Sequence, residues 1–194
     1  MRRVRCPPSA GRCAALLLIA LSTPGCLVLS LHPWHDGTAI EWDAALVGSW
    51  LNTDDNVSVE IERSEWKSYR IKYVHPIETG TLTGYLTTIG GERFIDVMPV
   101  RGEDRGSFLI PIHAALRVRI EQDRLEVTPL SYDWFYERMR SRTAPPGLHV
   151  LKDQKENALI ASPASRLRAW LGVQPAEGPM FGATAVFIRR SAGP

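Results

Sequence analysis

Apolar and polar residues alternate along several short segments in the middle of the chain. A period of two is typical of a strand with one buried face, and the short polar stretches between the segments are typical of antiparallel hairpins. Gly90-Gly91 joins two of the segments and permits the positive φ angles of a tight hairpin turn. The pattern predicts a meander of antiparallel strands over residues 57–62, 69–73, 80–89, 93–98, 116–120 and 125–127.

Three segments outside the meander have the pattern of a helix or a helical turn. Ser131 precedes apolar residues spaced i, i+3, i+4 and i+7, which predicts a helix that ends near Arg142. Ser162-Pro163 opens a second apolar helical face, and Gly172 ends it. A helical turn over residues 41–47, with Asp43 as its cap, leads into the first strand, and a final strand is expected over 183–189.

The N-terminal segment has the three parts of a secretory signal. Four arginines and no acidic residue precede an apolar core over residues 14–21, and small or turn-forming residues follow at 22–25. Cys26 stands at the expected cleavage point, so the segment resembles the bacterial lipoprotein signal, in which this cysteine is acylated. Gly25 fits that signal, whereas Thr23 and Pro24 depart from its preferred residues. The resemblance implies a signal peptide over 1–25 and a lipidated Cys26.

Two alternatives to lipidation remain open. The segment can be an ordinary cleaved signal peptide, or an uncleaved anchor that extends from Ala14 to Leu31. Pro24-Gly25 interrupts that stretch and favours processing. Cys6 and Cys13 lie within the signal, so cleavage leaves Cys26 as the one cysteine of the mature chain, without a disulfide or a cysteine metal cluster.

The mature chain is long enough for one domain with a sizeable core. Residues 26–41 contain one proline, Pro33, and one glycine, Gly37, and are interpreted as the lipidated N-terminus and a flexible tether, followed by a single β-rich domain over 42–194. The chain carries 23 Lys and Arg against 21 Asp and Glu, and four of the arginines belong to the signal. A nearly neutral domain lacks the basic surface of a nucleic-acid-binding protein.

The start of the first strand carries a family resemblance. Gly48-Ser49-Trp50, preceded by a helical turn and followed by hairpins, resembles the opening motif of lipocalin-like barrels. That resemblance implies that Trp50 closes one end of a barrel, and that Arg189 or Arg190 from the last strand lies across its ring in a cation–π contact.

The mature chain also resembles a group of uncharacterised bacterial lipoproteins. The shared segments are Leu31-His32-Pro33, Ala45 to Trp50, Gly91 to Asp96, Pro111-Ile112-His113 and an aromatic helix after Leu130. This second resemblance implies an envelope location and a barrel-like domain, and it brings no established activity. The expected fold is therefore mainly β, either a lipocalin-like antiparallel barrel or a strongly curved sheet, with two or three short helices.

Aromatic side chains along the strands are candidates for a ligand cavity, because eight-stranded barrels often hold one small ligand. The alternative is that they only fill the core. The candidates that we place in the cavity are Tyr69, Tyr73, Tyr85 and Phe94.

The polar residues form no recognisable catalytic motif. The acidic residues, Asp96 among them, are interpreted as residues of solvated turns and of outward strand faces. His75 and His113 are interpreted as polar partners in loops. His32, His35 and Asp36 are better explained by a plain linker than by a metal site. We therefore expect no catalytic residues, no metal and no cofactor.

The sequence predicts a membrane-anchored protein of the bacterial cell envelope, with its domain in the periplasm or at the cell surface. Its expected partners are the membrane, through Cys26, and a small apolar ligand. The alternative is an interaction or structural adaptor module that contacts another envelope protein, and an enzyme is the least favoured class.

Overall fold

The structure is a computed structural model, and it describes residues 27–100, 110–141, 145, 147–152 and 158–190. The signal peptide over 1–25 and the lipidation site Cys26 lie outside the described residues, so both remain predictions. Among the described residues, no helix is long and apolar enough to cross a membrane.

Strands dominate the described chain. In chain order the strands are β1 (Leu29–Ser30), β2 (Ile40–Glu41), β3 (Gly48–Asn52), β4 (Val57–Arg63), β5 (Ser68–His75), β6 (Glu78–Ile89), β7 (Glu92–Pro99), β8 (Ala114–Glu121), β9 (Arg124–Pro129), β10 (Val150–Lys152), β11 (Ala158–Ile160) and β12 (Ala185–Arg189). The helices are α1 (Tyr132–Arg140) and α2 (Ala164–Gly172), and short 3₁₀ turns cover Ala44–Leu46 and Glu65–Lys67.

Eight strands close into an antiparallel barrel. β3 to β9 pair in sequence order, and β12 completes the ring between β9 and β3. β6 is 12 residues long, so that its first part pairs with β5 and its second part with β7. This closure confirms the predicted antiparallel barrel, rather than an open curved sheet, and the two helices agree with the predicted number.

The barrel has two distinct ends, because antiparallel strands bring alternate turns together. The closed end contains the start of β3 and the turns 63–68, 89–92 and 121–124. Gly90 and Gly91 in the second of these turns have φ angles of +62° and +85°, as a tight hairpin turn requires. The open end contains the turns 52–57 and 75–78 and the connections that follow β7 and β9.

The apolar residues of the barrel strands form two separate cores. Along β7, Ile95 and Val97 point into the barrel, whereas Phe94 and Asp96 point outward. The outer face of β6, β7 and β8 is covered by α1, α2 and a small sheet in which β11 lies between β1 and β10. Strands in this part of the wall are therefore buried on both faces.

Local sequence signals explain the helix starts. The Ser131 hydroxyl accepts a hydrogen bond from the Trp134 backbone N–H at 3.2 Å, so Ser131 caps α1 as predicted. Pro163 precedes α2, and the Asp43 carboxylate caps the 3₁₀ turn before β3 through the Ala45 N–H at 2.8 Å. The Ser131 and Asp43 side chains thereby satisfy backbone donors that have no partner within the helix or turn.

Residues 27–41, here called the N-terminal strap, lie against the outer face of the barrel. β1 pairs in parallel with β11, and β2 pairs with β6. Val28 and Trp34 are buried in the outer core, and Trp34 has no exposed surface. The segment interpreted as a flexible tether is thus seated on the domain from Leu27 onward, because its apolar side chains fill the layer between the barrel and the helices.

Candidate functional site

An apolar cavity of about 180 Å³ lies inside the barrel. It is lined by side chains from seven of the eight barrel strands, all but β3, and from the turn before β3. The thirteen lining residues are Leu46, Val59, Ile61, Ile71, Tyr73, Leu82, Ile95, Val97, Leu116, Val118, Leu125, Val127 and Phe187. Tyr73 is the one residue of this set whose side chain carries a polar atom, so the cavity offers almost no hydrogen-bonding groups to an occupant.

The cavity is accessible from the open end of the barrel. Lining residues nearer the closed end, such as Ile61, Ile71 and Leu125, are buried. Lining residues nearer the open end are half-buried, and these are Val59, Tyr73, Leu82, Leu116 and Val127. This gradient of exposure places the mouth of the cavity opposite Trp50.

Trp50 and Arg189 lie together at the closed end. The Arg189 guanidinium carbon is 4.1 Å from the centre of the Trp50 ring, and the two residues are cross-strand neighbours. Arg189 also donates hydrogen bonds of 2.7 Å to the carbonyl oxygens of Val47 and Ala45. Of the two arginines proposed for this position, Arg189 occupies it, whereas Arg190 is exposed and contributes its backbone N–H to Ser49.

The four aromatic residues proposed for the cavity occupy different places. Tyr73 lines the cavity, and its ring lies against Gly80, where a Cβ would be 2.6 Å from the ring. Tyr69 is buried near the closed end, stacks on Trp42 and donates a hydrogen bond to the Asp43 carbonyl.

The other two lie on the outer face of the barrel. Tyr85 is the cross-strand neighbour of the outward-pointing Asp96, and Phe94 belongs to the outer core. The alternation along a strand does not reveal which of its two faces becomes the inside of the barrel. For this reason the sequence alone assigns all four aromatic residues to the cavity.

Sequence reasoning missed a buried polar cluster beneath the N-terminal strap. The Asp96 side chain has no exposed surface. Its Oδ2 accepts hydrogen bonds from the Trp34 backbone N–H at 3.0 Å and from His35 Nδ1 at 2.6 Å. His113 Nδ1 lies 3.2 Å from both carboxylate oxygens. The His35 ring also packs on Tyr85, with ring centroids 4.4 Å apart.

The hydrogen bonds determine the charge state of this cluster. Burial by itself raises the pKa of Asp96, but the hydrogen bonds from His113 and His35 outweigh it, so the pKa of Asp96 lies below its ordinary value of 3.8. An ionised carboxylate only accepts hydrogen bonds, so both histidines carry their Nδ1 hydrogen. The cluster therefore joins the strap to β7 and to the start of β8 through one buried charge.

Two interpretations from the sequence are corrected by this cluster. Asp96 lies on an outward strand face as predicted, but it is buried rather than solvated, and His113 is a polar partner in the connection before β8, where it is buried as well. The sequence does contain a signal for the burial of Asp96. Its neighbours Phe94, Ile95 and Val97 place apolar side chains on both faces of β7, and this pattern indicates a strand that is covered on both sides. His32 and Asp36 are exposed, and among the described residues no group of three or more His, Cys, Asp or Glu side chains has the arrangement to hold a metal ion.

Fold and cavity together define a closed eight-stranded antiparallel barrel with an apolar interior and one accessible end. Comparisons of the chain with protein-family models, with curated proteins and with solved structures find no match in any of the three.

Proposed function

We propose that this protein is a lipid-anchored protein of the bacterial cell envelope whose lipocalin-like barrel binds a small apolar ligand. The observation that carries the proposal is the cavity, in which twelve of thirteen lining side chains are purely hydrocarbon. The proposed activity is binding, without catalysis and without a cofactor.

The size and chemistry of the cavity support a compact apolar ligand. An apolar cavity of roughly 150 Å³ in another protein stays dry and binds benzene. A polar ligand would lose its hydrogen bonds to water and find few replacements, which is unfavourable. A small aromatic or branched hydrocarbon, or one short alkyl segment, matches both the volume and the lining.

A valine-to-phenylalanine substitution inside the cavity should weaken binding. Val118→Phe places a larger side chain among the lining residues, so we expect the affinity for the apolar fluorescent probe N-phenyl-1-naphthylamine to fall by roughly tenfold, which corresponds to about 1.4 kcal/mol. The measurement is a fluorescence titration of the purified full-length protein in nanodiscs, after subtraction of the signal from empty nanodiscs. Native mass spectrometry of the wild type should also show a retained small molecule.

Val173→Phe is the matched control, because Val173 is exposed beyond α2. It should bind the probe like the wild type. Circular dichroism checks that Val118→Phe remains folded, since overpacking typically costs about 1–3 kcal/mol. Equal affinity of the wild type and a folded Val118→Phe, or no binding by the wild type, would refute the ligand-binding proposal.

The anchor is tested separately at Cys26. We expect Cys26→Ala to abolish incorporation of radiolabelled palmitate, because no acyl acceptor is then left at the cleavage point. Cys13→Ala is the control, since Cys13 precedes the apolar core of the predicted signal and should leave labelling intact. Unchanged labelling and unchanged membrane association of Cys26→Ala would contradict the lipoprotein assignment.

A further inference from the structure

Four large apolar side chains are exposed at the open end of the barrel. Val74, Ile77, Val100 and Ile110 are between 47% and 75% exposed. Val74 is near the end of β5, Ile77 is in the turn to β6, Val100 follows β7, and Ile110 precedes β8. We call these four residues the apolar rim.

The apolar rim lies beside the mouth of the cavity. The strands that carry or flank the rim, β5 to β8, are consecutive around the barrel. The same strands contribute Tyr73, Leu82 and Leu116, which are half-buried lining residues at the mouth. Apolar surface therefore continues from the inside of the barrel to its outer edge.

The backbone around the rim offers few free hydrogen-bond donors. Pro76, Pro99 and Pro111 have no N–H. The Ile77 N–H donates to His75 Nδ1 at 3.3 Å, and the Val100 N–H donates to the Thr81 carbonyl at 3.1 Å. Polar backbone groups that enter a hydrocarbon phase must be satisfied within the protein, and the N–H groups of Ile77 and Val100 meet that requirement.

Charge at the rim further specifies the partner. Residues 74–78 and 110–112, which carry Ile77 and Ile110, contain His75 and Glu78 but no lysine or arginine; Arg101 follows Val100 in the sequence, and the turn 52–57 of the same open end carries Asp54 and Asp55. A surface that attracts anionic lipid headgroups is rich in basic residues. The rim instead matches the uncharged hydrocarbon region of a lipid layer, which has no hydrogen-bonding groups to offer.

We propose that the apolar rim docks into the surface of a lipid bilayer, so that the mouth of the cavity faces the membrane. An apolar ligand then passes between the bilayer and the barrel without crossing water. Docking depends only on the rim, whereas ligand transfer rests on the proposed ligand-binding function.

The test uses the full-length protein in vesicles of phosphatidylcholine that carry a photoactivatable diazirine on an acyl chain. After illumination, peptide mapping by mass spectrometry locates the cross-linked lipid. We expect adducts within residues 74–78 and 110–112, and few on the exposed Trp66 turn at the closed end. The double variant Ile77→Ser/Ile110→Ser should lower the yield of rim adducts by about tenfold or more, because two large apolar side chains no longer enter the lipid.

Val173→Ser is the matched control, because it removes an exposed apolar side chain far along the chain from the rim. It should leave the yield unchanged. Adducts absent from the rim, or equal yields of rim adducts for the double variant and the wild type, would overturn the proposal. The two proposals fail separately: probe binding by a wild type without rim adducts overturns docking alone, and rim adducts on a wild type that binds no probe overturn ligand binding alone.

Discussion

Asp96→Ala is expected to lower the free energy of unfolding by about 3–5 kcal/mol, because each buried donor left without an acceptor costs about 1–3 kcal/mol. Three donors lose their acceptor at once, namely the Trp34 backbone N–H and the Nδ1 groups of His35 and His113. These groups are buried or nearly buried, so water cannot fully replace the carboxylate. Urea denaturation followed by circular dichroism measures the effect.

Asp55→Ala is the control for the same substitution at the surface, since Asp55 is exposed in the turn between β3 and β4. Its effect should stay within about 0.5 kcal/mol. Similar losses for the two variants would show that the buried cluster adds nothing beyond the loss of a carboxylate.

Acid should weaken the same cluster. The pKa of Asp96 is lower in the folded protein than its ordinary value of 3.8. The stability that the ionised carboxylate contributes is therefore fully present above that value and is lost as the pH falls through the lower folded pKa. Asp96→Asn cannot titrate at this position, so its stability should fall less steeply below pH 4 than that of the wild type. Parallel acid profiles would contradict the assignment of an ionised Asp96.

Trp50→Ala is expected to cost about 3–5 kcal/mol, as for other buried tryptophans. The ring has no exposed surface, its N–H donates to the Leu46 carbonyl at 3.0 Å, and the Arg189 guanidinium lies over its face. Its removal opens a void at the closed end and leaves Arg189 without its aromatic partner. The free energy of unfolding from urea titration gives the cost.

Trp66→Ala provides the matched control at the same end of the barrel. Trp66 is 89% exposed in the turn between β4 and β5, so little apolar burial is lost. The expected change is within about 0.5 kcal/mol. Comparable destabilisation by the two substitutions would argue against Trp50 as the residue that seals the closed end.

Much of the barrel was predictable because its signals are local. Alternation locates β4, β5, β8 and β9, and Gly90-Gly91 locates the turn between β6 and β7. The family resemblance predicted Arg189 or Arg190 as the partner of Trp50, because the separation along the chain hides this contact from any local pattern, and the structure places Arg189 there. Of the site, the sequence found an apolar interior and one lining aromatic residue, Tyr73.

The outer layer was not predictable by the same means. The burial of Trp34 and Asp96 and the outward position of Tyr85 depend on which strand faces meet the helices and the strap, and a period of two does not distinguish the inside of a barrel from a covered outside. His35 and His113 lie far apart in sequence and come together at Asp96 of β7. A segment with one proline, one glycine and few periodic residues was therefore interpreted as a tether, although its tryptophan is buried against the barrel.

The pairing of β12 with β3 has a consequence for the way the chain folds. The last strand of the barrel joins the first, so the ring cannot close until nearly the whole described chain has been synthesised. Before that point β3 and β9 are unpaired edges, and exposed edges promote aggregation. A chain truncated before Ala185 would retain both edges, and a chaperone that binds extended segments would find them at the same two strands.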